Sequence, residues 1–126
     1  MLKPFIAPAA AIILLIYGPG SQNTPDIQTF YGEISDSLCA SVGSHDAMME
    51  KVEADTAKAC AQECERTGAR YVLYDKNNRI IYQLDNQTKP ETLAGEMVIV
   101  TGTYDTASKT IHVTDIVSAI TAPQKP

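Results

Sequence analysis

The chain has 126 residues, of which 44% are hydrophobic and 20% charged, with a net charge of −5 and three cysteines. This length supplies one domain with a real core. Its acidic balance works against nucleic-acid backbones and anionic membrane surfaces as partners.

The chain opens Met1-Leu2-Lys3, continues apolar over residues 5–17, and then reads Gly18-Pro19-Gly20-Ser21. A positive start, an apolar core of about 13 residues and small residues at a cleavage position are the layout of a secretory signal. Such a core is too short to span a bilayer comfortably. The expected organisation is a signal peptide over 1–20, a flexible lead-in over 21–28, a domain over 29–120 and a disordered tail over 121–126. An uncleaved N-terminal anchor is the competing reading. Cleavage removes one charged residue, Lys3, and leaves a soluble domain of charge −6, periplasmic or secreted.

In the domain, residues 29–35 alternate, with Phe30, Gly32 and Ile34 on one face and Tyr31, Glu33 and Ser35 on the other, as a half-buried strand does. Gly32 suggests a bend or bulge. Residues 36–55 are the least regular. A short helix over 45–52, capped by Ser44, would place Met48, Met49 and Val52 on one face. A stronger helix is expected over 57–67, capped by Asp55 or Thr56 and stopped at Gly68. Its apolar stripe is Ala57, Cys60, Ala61 and Cys64, so both cysteines point inward.

Strands are expected over 70–75 and 79–84, joined by Lys76-Asn77-Asn78, where asparagine can take a positive φ. Pro90 opens a short helical turn to Ala94. A second hairpin pairs 97–104 with 110–117, with a bulge near Asp115. Val98 and Val100 should fill the interior. Met97 and Ile99 should lie under a helix or turn, because an exposed apolar run invites edge pairing. His112 is on the outward phase. Together these elements give a mainly β fold with one or two short helices: a small five-stranded OB-like Greek-key barrel, with a helix inserted between strands 1 and 2.

The pieces Gly32-Glu33-Ile34-Ser35-Asp36-Ser37-Leu38-Cys39, His45, Cys60-Ala61-Gln62-Glu63-Cys64 and Gly68-Ala69-Arg70-Tyr71-Val72-Leu73 carry a resemblance, as do Tyr82-Gln83-Leu84-Asp85, Leu93-Ala94-Gly95-Glu96-Met97-Val98-Ile99-Val100-Thr101-Gly102-Thr103 and Ile111-His112-Val113. The chain resembles a family of small exported bacterial proteins with an uncharacterised OB-like domain. The resemblance implies fold and export; it implies no activity.

The chemistry resides in Cys39, Cys60 and Cys64. Export favours oxidation, and three thiols are an odd number. Cys60 and Cys64 are neighbours on one helix, poorly placed to bond each other. The leading expectation is therefore a disulfide from Cys39 to Cys60 or Cys64, worth about 3 kcal/mol for such a loop. The alternative is a Zn²⁺ or Cu⁺ site using Cys39, His45, Cys60 and Cys64, with Met48 and Met49 nearby to suit copper. Asp36, Asp46, Glu50, Glu53 and Asp55 lack calcium-loop spacing and read as a solvated acidic face. Two isolated histidines give no hydrolytic triad, so no catalytic residue is expected. Tyr74 and Tyr82 could stack a sugar, although most of the rings read as core or rim. The functional expectation is a non-catalytic binding or accessory module for an unknown small molecule, sugar or protein, with no resident cofactor. Extracytoplasmic metal handling is the alternative.

Overall fold

A computed structural model describes residues 2–4, 13, 18, 20, 24–43 and 45–120. Most of the expected signal segment lies outside these residues, as do Ser44 and the tail 121–126. No helix among the described residues is long and apolar enough to cross a membrane.

The elements run β1 (Gln28–Asp36), α1 (Ser37–Val42), α2 (Asp46–Lys51), α3 (Ala57–Arg66), β2 (Tyr71–Asp75), β3 (Ile80–Leu84), α4 (Thr88–Thr92), β4 (Met97–Asp105) and β5 (Thr110–Ser118). The five strands form a mixed sheet that closes in a ring, in the order β1-β2-β3-β5-β4. Every neighbour pair is antiparallel except β3 with β5, which run parallel through Gln83↔Thr110 and Leu84↔Ile111.

The alternation expected of β1 is seen as far as Ile34, but Ser35, expected on the outer face, is buried where the strand runs into α1. Phe30, Gly32 and Ile34 face the interior while Tyr31 is exposed. Gly32 sits at no bulge. It is needed because a Cβ there would come within 2.7 Å of the Tyr74 carbonyl, where β2 draws alongside. The register irregularity falls between β4 and β5: Thr101 faces Asp115 and Gly102 faces Val113, leaving Thr114 extra, at the expected place.

Both hairpins use one turn. Asp75 accepts from the Asn78 backbone N–H, and Asp105 accepts from the N–H groups of Ala107 and Ser108. The positive φ falls four residues after each aspartate, at Arg79 (55°) and Lys109 (54°), not at Asn77 or Asn78. The aspartate side chain folds the turn, and the strain sits on the long basic residue that re-enters the strand.

The core holds Ile34, Ala61, Leu73, Leu84, Val98, Val100 and Ile111. Burying a Val or Leu side chain contributes roughly 1.5–3 kcal/mol, so this cluster anchors the ring. Met97 is 40% exposed and Ile99 half-buried, so neither is fully covered. Covering them is unnecessary, because β4 is paired on both sides and presents no free edge.

Residues 36–55 are more ordered than their composition suggests. Asp36 caps α1, accepting from the N–H groups of Leu38 and Cys39, both at 2.9 Å. Gly43 ends α1 at φ 84°. Asp36 is fully buried, which corrects the reading of it as part of a solvated acidic face; Asp46, Glu50, Glu53 and Asp55 are exposed as expected. The cap explains the burial, since a carboxylate holding two backbone N–H donors is compensated for part of its lost hydration.

Candidate metal centre

Two helices bring the cysteines together. Cys39 is carried on α1, directly after the β1 end that pairs with β2. Cys60 and Cys64 stand one turn apart on α3, whose first turn is capped by Thr56, its hydroxyl accepting from the Ala59 N–H at 3.0 Å. Gly95, at φ 80°, holds α3 close. Its N–H donates to the Ile34 carbonyl at 2.7 Å, and a Cβ there would meet the Lys58 backbone nitrogen at 2.6 Å. Ala61 faces the main core, while Cys60 and Cys64 face Cys39.

All three thiols are buried and free. Cys39 Sγ and Cys60 Sγ are 3.6 Å apart. A disulfide needs about 2.05 Å, so this is a thiol–thiol contact between the expected partners. The three Sγ atoms lie within 4.8 Å of one another. A tetrahedral ion with metal–sulfur bonds of about 2.3 Å would set its sulfurs about 3.8 Å apart, within this range. Met48, Met49 and Val52 pack against the cluster, as their shared helix face implies.

A second donor set shares one corner with the first: Asp36, Cys39 and His45 also have ligand atoms within 4.8 Å of one another. His45 precedes α2 and makes no cap. Its side chain is only 12% exposed, and its Nε2 pairs with Glu33 Oε1. Its other nitrogen, Nδ1, is buried without a hydrogen-bond partner among the described residues, and so is Asp36 Oδ2. Buried polar atoms are rarely left unpaired, and each such atom calls for an explanation. A carboxylate holding one imidazole nitrogen while the other is left for a metal is a recurring arrangement in metal sites.

The electrostatics favour protonated thiols at Cys39 and Cys64 while no metal is bound. Burial, and after it the Asp36 carboxylate, push the Cys39 thiol far above its usual range. Burial and the same carboxylate raise Cys64 to about 11. The hydrogen bond to Glu33 raises His45 above its usual value, against the opposing effect of burial. A metal would therefore displace protons on binding.

A cavity of about 300 Å³ opens beside this cluster, lined by Glu33, Ser35, Cys39, His45, Met49 and Met97 among others. Of the three cysteines, Cys39 alone lines it. The other sequence candidates lie elsewhere. His112 is exposed and meets Asp85 at 3.2 Å. Tyr74 is buried, and Tyr82 packs edge-on against Phe30 and Tyr104, with centroids 5.1 Å and 5.5 Å away, so these rings face one another.

No family model, no curated protein and no solved structure matches this chain. Two residues of the site escaped the sequence reading. Asp36 was legible as a cap, since it precedes a Ser-Leu-Cys-Ala-Ser-Val segment ending at Gly43. Glu33 carried no signal, because only the fold brings it to His45.

Proposed function

We propose that this protein is an exported, non-catalytic metal-binding module that holds one soft ion, best matched by Cu⁺, on Cys39, Cys60 and Cys64. One observation carries the reading: three buried free thiols within 4.8 Å of one another, beside two buried polar atoms without partners. Thiolate sets select Cu⁺ and Zn²⁺ over harder ions. Three sulfurs suffice for Cu⁺, and the methionine-rich packing of Met48 and Met49 suits it. Zn²⁺ would need a fourth donor, and His45 is grouped with Cys39 and Asp36 rather than with all three sulfurs. The ring order with its single parallel closure supports an OB-like Greek-key barrel. The resemblance to small exported OB-like proteins, and the apolar residues 5–17, support export.

The test is titration of the reduced protein with Cu⁺ and with Zn²⁺, combined with thiol counting. One equivalent of Cu⁺ bound, with three thiols shielded from alkylation, supports the proposal. One free thiol and no bound metal in protein isolated from its compartment supports a second reading, an accessory domain stapled by a Cys39–Cys60 disulfide. The 3.6 Å contact favours that pairing over Cys39–Cys64.

A further inference from the structure

The two donor sets meet at Cys39 and differ in where they lie. The three-sulfur set is sealed: Cys60 and Cys64 are 0% and 1% exposed and do not line the cavity. The mixed set of Asp36, Cys39 and His45 reaches the cavity through Cys39 and His45, while Asp36, 0% exposed, is not part of its lining. Asp46, exposed, Met97, 40% exposed, and Met49 also line the cavity.

From this arrangement, and resting on the metal reading above, we propose that Asp36, Cys39 and His45 form a separate capture site, which takes a soft cation from the cavity and passes it to the three sulfurs through the shared Cys39. Three buried side-chain atoms among the described residues lack a hydrogen-bond partner, and two of them, His45 Nδ1 and Asp36 Oδ2, are on residues of this set; the third is the Tyr71 hydroxyl. Glu33 holds Nε2, which turns Nδ1 inward. A mixed nitrogen, oxygen and sulfur set binds Cu⁺ less tightly than three thiolates, so transfer runs inward. In the transfer, the bonds from the ion to His45 and Asp36 break and bonds to Cys60 and Cys64 form. The Cys39 bond is kept throughout, and each thiol that takes the ion gives its proton to solvent. No electrons are exchanged.

A capture site changes rates without changing the endpoint. It lowers the barrier to loading and unloading alike and leaves the final affinity unaltered. The experiment follows Cu⁺ loading of the reduced protein by stopped-flow thiolate-to-copper charge-transfer absorbance, and removal by a competing Cu⁺ chelator. For His45→Gln, both rates should fall roughly tenfold or more, with Kd within about threefold of the wild type. Glu33→Gln, which frees the imidazole to turn, should slow both rates in the same direction and serves if His45→Gln does not fold. Unchanged rates in a folded variant overturn the proposal. A loss of affinity in His45→Gln as large as that in Cys64→Ser also overturns it, because His45 would then be a resident ligand, while the metal reading would stand. A wild-type protein that binds no Cu⁺ defeats the metal reading itself and the capture site with it.

Discussion

Cys39 and Cys60, 21 positions apart in the chain, are both buried and stand with their sulfurs 3.6 Å from one another. The contact joins α1 to α3, and Cys64 completes it from the next turn of α3. A metal at this point would tie together segments that the sheet alone does not pair. Metal binding should therefore be read as stability. At a free Cu⁺ concentration of 100 times Kd, unfolding should cost about 2.7 kcal/mol more than in the metal-free protein. Cys64→Ser should lose most of that gain. Denaturant titration with and without Cu⁺ checks it, and an equal gain in Cys64→Ser would count against the three-sulfur site.

Asp36 has two roles that substitution separates. Asp36→Ala removes the acceptor for two N–H groups and should cost about 1–2 kcal/mol. Asp36→Asn retains a capping oxygen and should cost less than about 1 kcal/mol. Both substitutions remove the carboxylate that raises the Cys39 thiol, so thiolate absorbance should develop at lower pH in either variant. Equal destabilisation by the two would mean that the charge, not the cap, is what α1 depends on.

The pairing of His45 with Glu33 makes stability depend on pH. The folded protein holds the imidazolium more tightly than the unfolded chain does, because the His45 pKa is raised by Glu33 and further by Asp36 and Asp46. A raised pKa contributes stability that is complete below the unfolded value of about 6.5 and is lost as pH rises through the folded value. The metal-free protein should thus lose stability on going upward from about pH 6.5. Glu33→Gln should flatten that slope. Chemical denaturation across this range measures it, and a slope unchanged in Glu33→Gln would dissociate the effect from this pair.

The strand phase gives a sharp contrast on two neighbouring strands. Val100 is fully buried in the core, whereas the His112 side chain is 56% exposed. Val100→Ala should cost about 1–3 kcal/mol, and His112→Ala should stay within about 0.5 kcal/mol. Equilibrium unfolding of both variants decides it; a larger loss at His112 would invert the assigned phase.

Much of this was legible along the chain because strands report their faces by alternation. The phase Phe30, Gly32, Ile34 and the paired Val98 and Val100 announce the interior, and the change of phase before Ile116 announces the bulge. The stripe Cys60, Ala61, Cys64 likewise announces the inward face of α3. Less legible was whatever depends on the chain turning back on itself. A six-residue helix such as α1 has too few turns to show a period, so Asp36 reads as one acid among several until its cap is seen. The proximity of His45 to Cys39 was open to inference from their spacing. Its division into two donor sets sharing Cys39, and the hold of Glu33 on the imidazole, belong to tertiary structure alone. The partial exposure of Met97 and Ile99 was not legible because closure of the ring, which removes the free edge, is not written in β4 itself.

The most direct test of the three-sulfur centre is X-ray absorption spectroscopy at the copper edge on the protein loaded with one equivalent of Cu⁺. The account predicts a first shell of three sulfurs at about 2.3 Å, reduced to two in Cys64→Ser. A first shell of nitrogen and oxygen, or copper spectroscopically identical in the wild type and in Cys64→Ser, would contradict it.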